Sequence, residues 1–322
     1  MEIRYEKGIH IPACDVWLDS LKVRPFGVVS HAHSDHAAWH GETFLTPATA
    51  ALMRARKGYR DKVLHEVPFH ESRDFPGMRI SLIPAGHVLG SAQVHVECDA
   101  GSLLYTGDFK LRESRTAETA QACHADVLVM ETTFGLPRYS FPPAEEVMAD
   151  IIQFCRKALS DGFAPVLLVY SLGKAQELLA CLAGADLDIV LHPSIDKMTK
   201  VYEQFGVQFP AYEQLRRKGT AGKVFLCPPH ERPNTSRHPN LRMAMISGWA
   251  LDSSAIYRFR CDAAFPLSDH AGYEDLLRHV ENVAPKRVYT THGFAEAFAR
   301  DLRGRGMDAL ALAGLNQLEF RF

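Results

Sequence analysis

The sequence contains no Cys-x-x-Cys pair, and its seven cysteines (Cys14, Cys98, Cys123, Cys155, Cys181, Cys227 and Cys261) are scattered and odd in number. That pattern argues against a cysteine-based zinc knuckle. A disulfide framework is disfavoured, and a reducing compartment is expected. No apolar run approaches the ~20 residues that a membrane span needs. The charged start Met1-Glu2-Ile3-Arg4-Tyr5-Glu6-Lys7 has none of the apolar stretch of a signal peptide. The expected location is cytoplasmic, with no membrane partner. An excess of charge of one sign is also missing, since 36 Lys+Arg against 38 Asp+Glu leave a net charge of −2 over 322 residues. That balance excludes a globally basic nucleic-acid binder but not a protein with a local basic groove. Internal repeats and low-complexity tracts are absent too.

What the chain has in excess is histidine, with 16 residues. Histidine-rich chains often bind metal, so placement decides the meaning of the count. Several short β-rich runs end in a polar, metal-competent residue. Phe26–Ser30 leads into His31, Ile80–Pro84 into His87, Ser102–Thr106 into Asp108, Val127–Met130 into Glu131, and Val288–Thr291 into His292. Runs of four or five apolar or β-branched residues read as buried strands. Loops that leave strand ends are where a scaffold gathers functional side chains, so these five ends suggest one composite site. Helical stretches such as Thr46–Lys57 and Ala271–Val283 lie between the runs, and the mixture reads as α/β.

From about Leu136 to Ala264 a second strand-and-helix set begins. It opens with a helix over Pro143–Leu159 and continues through a strand over Val166–Tyr170. It ends with the loop Pro228–Arg242 and a strand over Met243–Ser247. Metal-type residues occur before and after this block rather than obviously within it, which fits an inserted domain.

The strongest motif is His31-Ala32-His33-Ser34-Asp35-His36, three histidines and an aspartate within six positions. Imidazole nitrogen and carboxylate oxygen without thiolate favour a hydrolytic over a structural zinc site. His87 in Gly86-His87-Val88, Asp108 in Gly107-Asp108-Phe109 and His292 in Thr291-His292-Gly293 are each weak signals alone. Their shared position after a strand makes them one signal. Two zinc ions need about seven or eight ligand positions. His31, His33, Asp35, His36, His87, Asp108 and His292 supply that number.

In this order, His-x-His-x-Asp-His, then Gly-His, then Gly-Asp, the sequence resembles the metallo-β-lactamase superfamily. That likeness implies an αββα sandwich with metals at one sheet edge. The long block before the last histidine resembles the β-CASP nucleases, in which a cap domain interrupts the second half. The implied domains are 1–136 and 265–322 for the metallo-β-lactamase part and 137–264 for an α/β β-CASP cap. The family's further motifs map to Glu131 in Glu131-Thr132-Thr133-Phe134-Gly135, to His270 in Leu267-Ser268-Asp269-His270, and to Asp19 in Trp17-Leu18-Asp19. Thr133-Phe134-Gly135-Leu136-Pro137 and Leu172-Gly173-Lys174-Ala175-Gln176 are most similar to the bacterial DNA-ligase-associated exonucleases.

The resemblance implies two Zn2+, with Mn2+ as a substitute, and a nucleic-acid phosphodiester as substrate. His31, His33 and His87 are assigned to one ion, Asp35, His36 and His292 to the other, and Asp108 to both. His270 would stand beside the scissile phosphate without binding metal, and Glu131 would hold its imidazole. Asp19 would orient a ligand, with Asp15 as a nearby competitor. The turn Ser171-Leu172-Gly173-Lys174 could cradle a phosphate at a helix start or be an ordinary strand–helix turn. Lys110, Arg112 and Arg115 could line the cleft, and Arg232, Arg237 and Arg242 could grip a backbone. The leading expectation is a DNA exonuclease in repair, with a DNA ligase or helicase as functional partner. An RNase resembling the mRNA 3′-end-processing endonucleases is the alternative, because the last motif is a histidine. A small-molecule metallo-hydrolase is a third reading, disfavoured by the long insertion and the Glu131/His270 pair.

Overall fold

Along Val127–Glu131 every residue is buried, which is how a strand covered on both faces reads. Its side chains alternate between two cores. Val127 and Val129 point into one with Ile80, Leu82, Val94, Val96, Leu103 and Tyr105. Leu128 and Met130 point into the other with Ile83, Leu104 and Val288. This period of two fixes the architecture of the first unit, because each face demands its own cover. The structure is a computed structural model that describes residues 1–57, 63–215, 220–234, 236, 238–252 and 254–312.

The chain divides into two compact units, one formed by residues 1–140 with 270–321 and the other by 141–269. The first unit holds two sheets. One runs in the order Arg4–Tyr5, Ile9–Ile11, Val16–Leu18, Phe26–Val28, Glu42–Leu45, Val63–Glu66. The other runs Ala309–Ala311, Arg287–Thr291, Val127–Glu131, Gly101–Tyr105, Ala92–Cys98, Met78–Pro84, Ser72–Phe75. Ile9, Ile11, Val16, Leu18, Val28 and Phe44 of the first sheet share a core with the inward residues of the second, so the sheets stack face to face. The outer face of the second sheet is covered by helices Tyr273–Val283 and Ala295–Gly304 through Tyr273, Leu276, Val280, Val283, Phe298, Ala299 and Leu302. Fully burying each such aliphatic or aromatic side chain contributes about 1.5–3 kcal/mol. Helix Pro47–Lys57 follows the first sheet and buries Leu52 and Met53.

Strand direction then sets where loops emerge. Gly101–Tyr105, Val127–Glu131 and Arg287–Thr291 are parallel neighbours. Met78–Pro84 is antiparallel to Ala92–Cys98, which is antiparallel to Gly101–Tyr105, so Met78–Pro84 runs in the same sense as the three. Four strands of one sheet therefore end at one edge.

The second unit is a six-stranded sheet, ordered Glu213–Gln214, Ile189–Leu191, Val224–Cys227, Ala164–Leu168, Leu241–Ile246, Ala263–Phe265, and every pairing is parallel. Alternate residues again serve opposite faces. Leu167, Leu191, Leu226 and Ile246 pack with helices Ala144–Ser160 and Lys174–Cys181, whereas Val166, Leu168, Phe225 and Met245 pack with Ala255 and Phe259. Parallel strands need crossover connections, and helices Lys174–Cys181, Pro193–Gln204 and Ala255–Phe259 lie in them.

Candidate metal centre

Sequence reasoning treated the five strand ends alike, but they leave two different sheets. The His31–His36 loop follows Phe26–Val28 of the first sheet, and His87, Asp108, Glu131 and His292 follow strands of the second. Within the first unit these ends meet. His31, His33, His87 and Asp108 place one nitrogen or oxygen each within 4.8 Å of one another. His33 Nδ1 lies 3.1 Å from His31 Nε2 and 3.0 Å from His87 Nε2. Asp108 Oδ2 stands 3.5 Å from His31 Nε2, 3.8 Å from His87 Nε2 and 3.4 Å from His36 Nε2. His36 Nε2 is also 3.9 Å from Asp35 Oδ2, and its ring centroid is 5.3 Å from that of His292. Asp108 thus touches both groups of imidazoles.

The local backbone is shaped for this convergence. His292 adopts a left-handed conformation with φ 57°, and Gly293 follows with φ 55°. A Cβ on Gly293 would meet Thr133 Cα at 2.4 Å and Thr132 O at 2.5 Å. Gly293→Ala is therefore expected to destabilise the fold by at least about 2 kcal/mol. Denaturant melts of the two proteins check it, and an unchanged midpoint would contradict the strain.

Around the imidazoles stands a set of hydrogen bonds. Asp19, with φ 49°, is buried and accepts from Ser30 N (2.7 Å), Ser30 Oγ (2.5 Å), His36 Nδ1 (2.8 Å) and the Tyr105 hydroxyl (2.9 Å). Ser30 Oγ also lies 3.0 Å from His31 Nδ1. Asp15, the competitor, is exposed and faces His10 Nε2 at 2.9 Å. Glu131 is fully buried and accepts from Phe109 N (3.2 Å), Thr133 N (3.0 Å) and His270 Nδ1 (2.8 Å). His270 keeps 19% of its side-chain surface open, and its ring sits 4.6 Å from that of His87. Ser30 and Tyr105 escaped the sequence reading. Asp19 bonds to Tyr105 across 86 positions of chain, so no local spacing marks the pair.

Charge follows from burial and company. Burial, reinforced by the neighbouring His36 and His33, holds His31 well below the usual imidazole range. Burial together with His36 lowers His292 to about 4. Both rings are neutral at pH 7 with a lone pair to give. Burial opposes charge on His36 as well, but Asp108, Asp19 and Asp35 outweigh it and hold that imidazole up at about 10. Burial pushes the Asp108 carboxyl up. Raised groups carry protons at neutral pH that a cation must displace, so metal affinity should rise with pH. Calorimetric titration of the metal-free protein with Zn2+ at pH 7, in buffers of different ionisation enthalpy, should show release of at least about one proton per chain. Proton-neutral binding, or affinity that falls between pH 6 and 8, would contradict these shifts.

The donor set fits divalent metal. It is all imidazole and carboxylate, and it leaves His292 Nδ1 buried with no hydrogen-bond partner. A cavity of about 120 Å3 lined in part by Asp19, Asp35, His36, Tyr105 and His292 adjoins it. The buried His/Asp clusters are compatible with a metal site.

The other residues singled out in the sequence make contacts of their own within each unit. In the second unit the Gly173 amide donates to Gln176 Oε1 (2.8 Å) and the Ala175 amide to Tyr170 O (3.2 Å), so two helix-start donors are used inside the turn that holds Ser171. Lys174 Nζ lies 2.9 Å from Asp269 Oδ1, with both side chains mostly buried. Arg232 donates to the carbonyls of Phe259 and Arg260, and Arg242 stacks on Phe163 at 3.7 Å. Arg237 lies outside the described residues. In the first unit Lys110 is buried, and Arg112 Nε is 3.7 Å from Asp275 Oδ2, with Arg115 three positions further on. Some of the remaining histidines are structural, since His10 stacks on Trp17 at 4.1 Å and His279 is enclosed against Phe109 at 4.6 Å.

No protein-family model matches the chain. A protein of Opitutus terrae named a probable DNA ligase is 49% identical over 322 residues, which is 99% of this chain and 32% of that protein. The chain belongs to the β-CASP metallo-β-lactamase family. An RNase J-like protein of Methanocaldococcus jannaschii is 27% identical over 208 residues, covering 55% of this chain and 49% of its own length. The chain thus spans about a third of the length of the first of these relatives and half of the second. An Enterococcus faecalis protein of unknown function shares the fold at a TM-score of 0.61 and 13% identity, covering 90% of this chain and 79% of that one. Among the described residues no helix is long and apolar enough to cross a membrane.

Proposed function

We propose that the chain is a two-metal phosphodiesterase that hydrolyses nucleic acid, a DNA exonuclease serving repair. The observation that carries this reading is His270. A buried carboxylate orients it, its ring is partly open, and it stands beside the His/Asp cluster. His31, His33 and His87 would hold one Zn2+, Asp35, His36 and His292 the other, and Asp108 both, with Mn2+ able to replace either. Two such ions would supply Lewis-acid activation of a water and charge neutralisation at a phosphoryl oxygen.

The chain's own residues supply the rest. Glu131 accepts a hydrogen bond from Nδ1–H of His270 and favours its imidazolium form, whose Nε2–H would face the phosphate, hydrogen-bond its oxygen and pass its proton to the departing alkoxide, leaving a neutral imidazole. Glu131 cannot swing away, because the amides of Phe109 and Thr133 hold both its oxygens. The parallel-sheet unit would be the β-CASP cap, the block 137–264 read from the sequence. DNA is favoured because the relative matched along nearly the whole chain is named a probable DNA ligase, and a ligase or helicase would be the functional partner. The likeness to an RNase J-like protein supports RNA as the second reading. Digestion of matched single-stranded DNA and RNA, labelled at the 5′ or 3′ end, tests both. The expected result is faster loss of DNA by stepwise shortening from one end, whereas faster cleavage of RNA would install the alternative.

A further inference from the structure

We infer that Ser30 is a positioning residue that ties the two metal sites to one carboxylate. Asp19 reaches His36 directly through Nδ1 at 2.8 Å. It reaches His31 only through Ser30, whose Oγ is 2.5 Å from Asp19 Oδ2 and 3.0 Å from His31 Nδ1. The direction of these bonds is fixed by elimination. The Asp19 carboxylate is an acceptor, so the single Ser30 hydroxyl proton points to it. The hydroxyl oxygen is then left to accept, and the partner it accepts from is the Nδ1–H of His31. That tautomer puts the lone pair of His31 on Nε2, toward His33 and Asp108.

The relay has no slack. Ser30 and His31 are almost wholly buried, so the hydroxyl and the ring are held by protein rather than by bulk solvent. Ser30 N donates to Asp19 Oδ1 at 2.7 Å and pins the backbone. A side chain on Gly107 would strike Ser30 Oγ at 2.7 Å, so the absence of one there leaves room for the hydroxyl. Tyr105 adds its hydroxyl proton to Asp19 at 2.9 Å; burial raises that phenol well above its usual range, so it remains a donor. Asp19 therefore has four donors, and one of them carries its influence to the other site. The consequence is selective. Removing the Ser30 hydroxyl weakens the ion held by His31, His33 and His87 and spares the ion held by Asp35, His36 and His292, whereas removing the Asp19 charge weakens both.

This inference rests on the two-metal reading, and one experiment keeps the two apart. Metal-free wild type, Ser30→Ala and Asp19→Asn are titrated with Zn2+ against a competing chromophoric chelator. His33→Ala and Asp35→Ala identify which equivalent belongs to which site. Wild type should bind two equivalents; failure to do so would sink the two-metal reading itself. Given two, Ser30→Ala should lose about ten- to a hundredfold in affinity at the His33 site and less than about threefold at the other. Equal losses at both sites, or none, would overturn the relay. Should Ser30→Ala fold poorly, long-range 1H–15N correlation on the wild-type protein still decides. A protonated Nδ1 on His31 is expected, and a protonated Nε2 would overturn the inference.

Discussion

Asp108→Ala is expected to lose bound metal and hydrolysis together. The carboxylate oxygen Oδ2 lies within 3.8 Å of the Nε2 atoms of His31, His36 and His87, and so reaches both groups of imidazoles. Without it, buried nitrogens face one another with no anion between them, and a second cation added to the first would meet repulsion with no shared ligand. Metal content after gel filtration should fall below one ion per chain, and hydrolysis of an oligonucleotide by at least ~10³-fold. The two losses should track each other when zinc is added back in excess. A variant that retains both ions and full activity would refute the bridging role.

His270→Ala separates metal binding from catalysis. Its Nδ1 is committed to Glu131 at 2.8 Å, and Glu131 is itself anchored by two backbone amides. The ring is thus oriented from behind by protein rather than by metal. Loss of a positioned proton donor costs about 10²–10⁴-fold in rate. The expected variant keeps its zinc and its melting temperature while cleavage falls by that factor. A substrate with a nitrophenolate leaving group, which needs no protonation, should be cleaved with a much smaller loss. Parallel loss of zinc would instead move His270 into the ligand set, a reading its place within 4.8 Å of Asp108 and Glu131 makes worth testing.

Much of the fold could be read because buried strands announce themselves as short β-branched runs, and Val127–Glu131 and Arg287–Thr291 fall where such runs do. Which sheet a run joins could not be read. A period of two tells which residues share a face but not which strand lies beside it, so nothing in these runs says that the His31–His36 loop and the Asp108 loop leave different sheets. The sequence was most informative where six adjacent positions carry the signal, as in His31–His36. It was silent where the signal is a contact between distant positions, as with Asp19 and Tyr105. Ser30 illustrates the difference, since it adjoins the motif yet gains its role only from a carboxylate eleven positions earlier. At the Ser171–Lys174 turn spacing leaves a phosphate cradle and an ordinary strand–helix turn both open, and the contacts that bear on the choice, such as the bonded amides of Gly173 and Ala175, are visible only in the structure.

On the proposed function, two ions held by side chains from two stacked sheets act on one phosphodiester. Stepwise addition of Zn2+ to metal-free protein, with initial rates on end-labelled single-stranded DNA taken at each step, tests it most directly. The rate should stay near zero through the first equivalent, rise through the second and level off at two ions per chain. Full activity at one equivalent, or hydrolysis that persists in excess chelator, would contradict it.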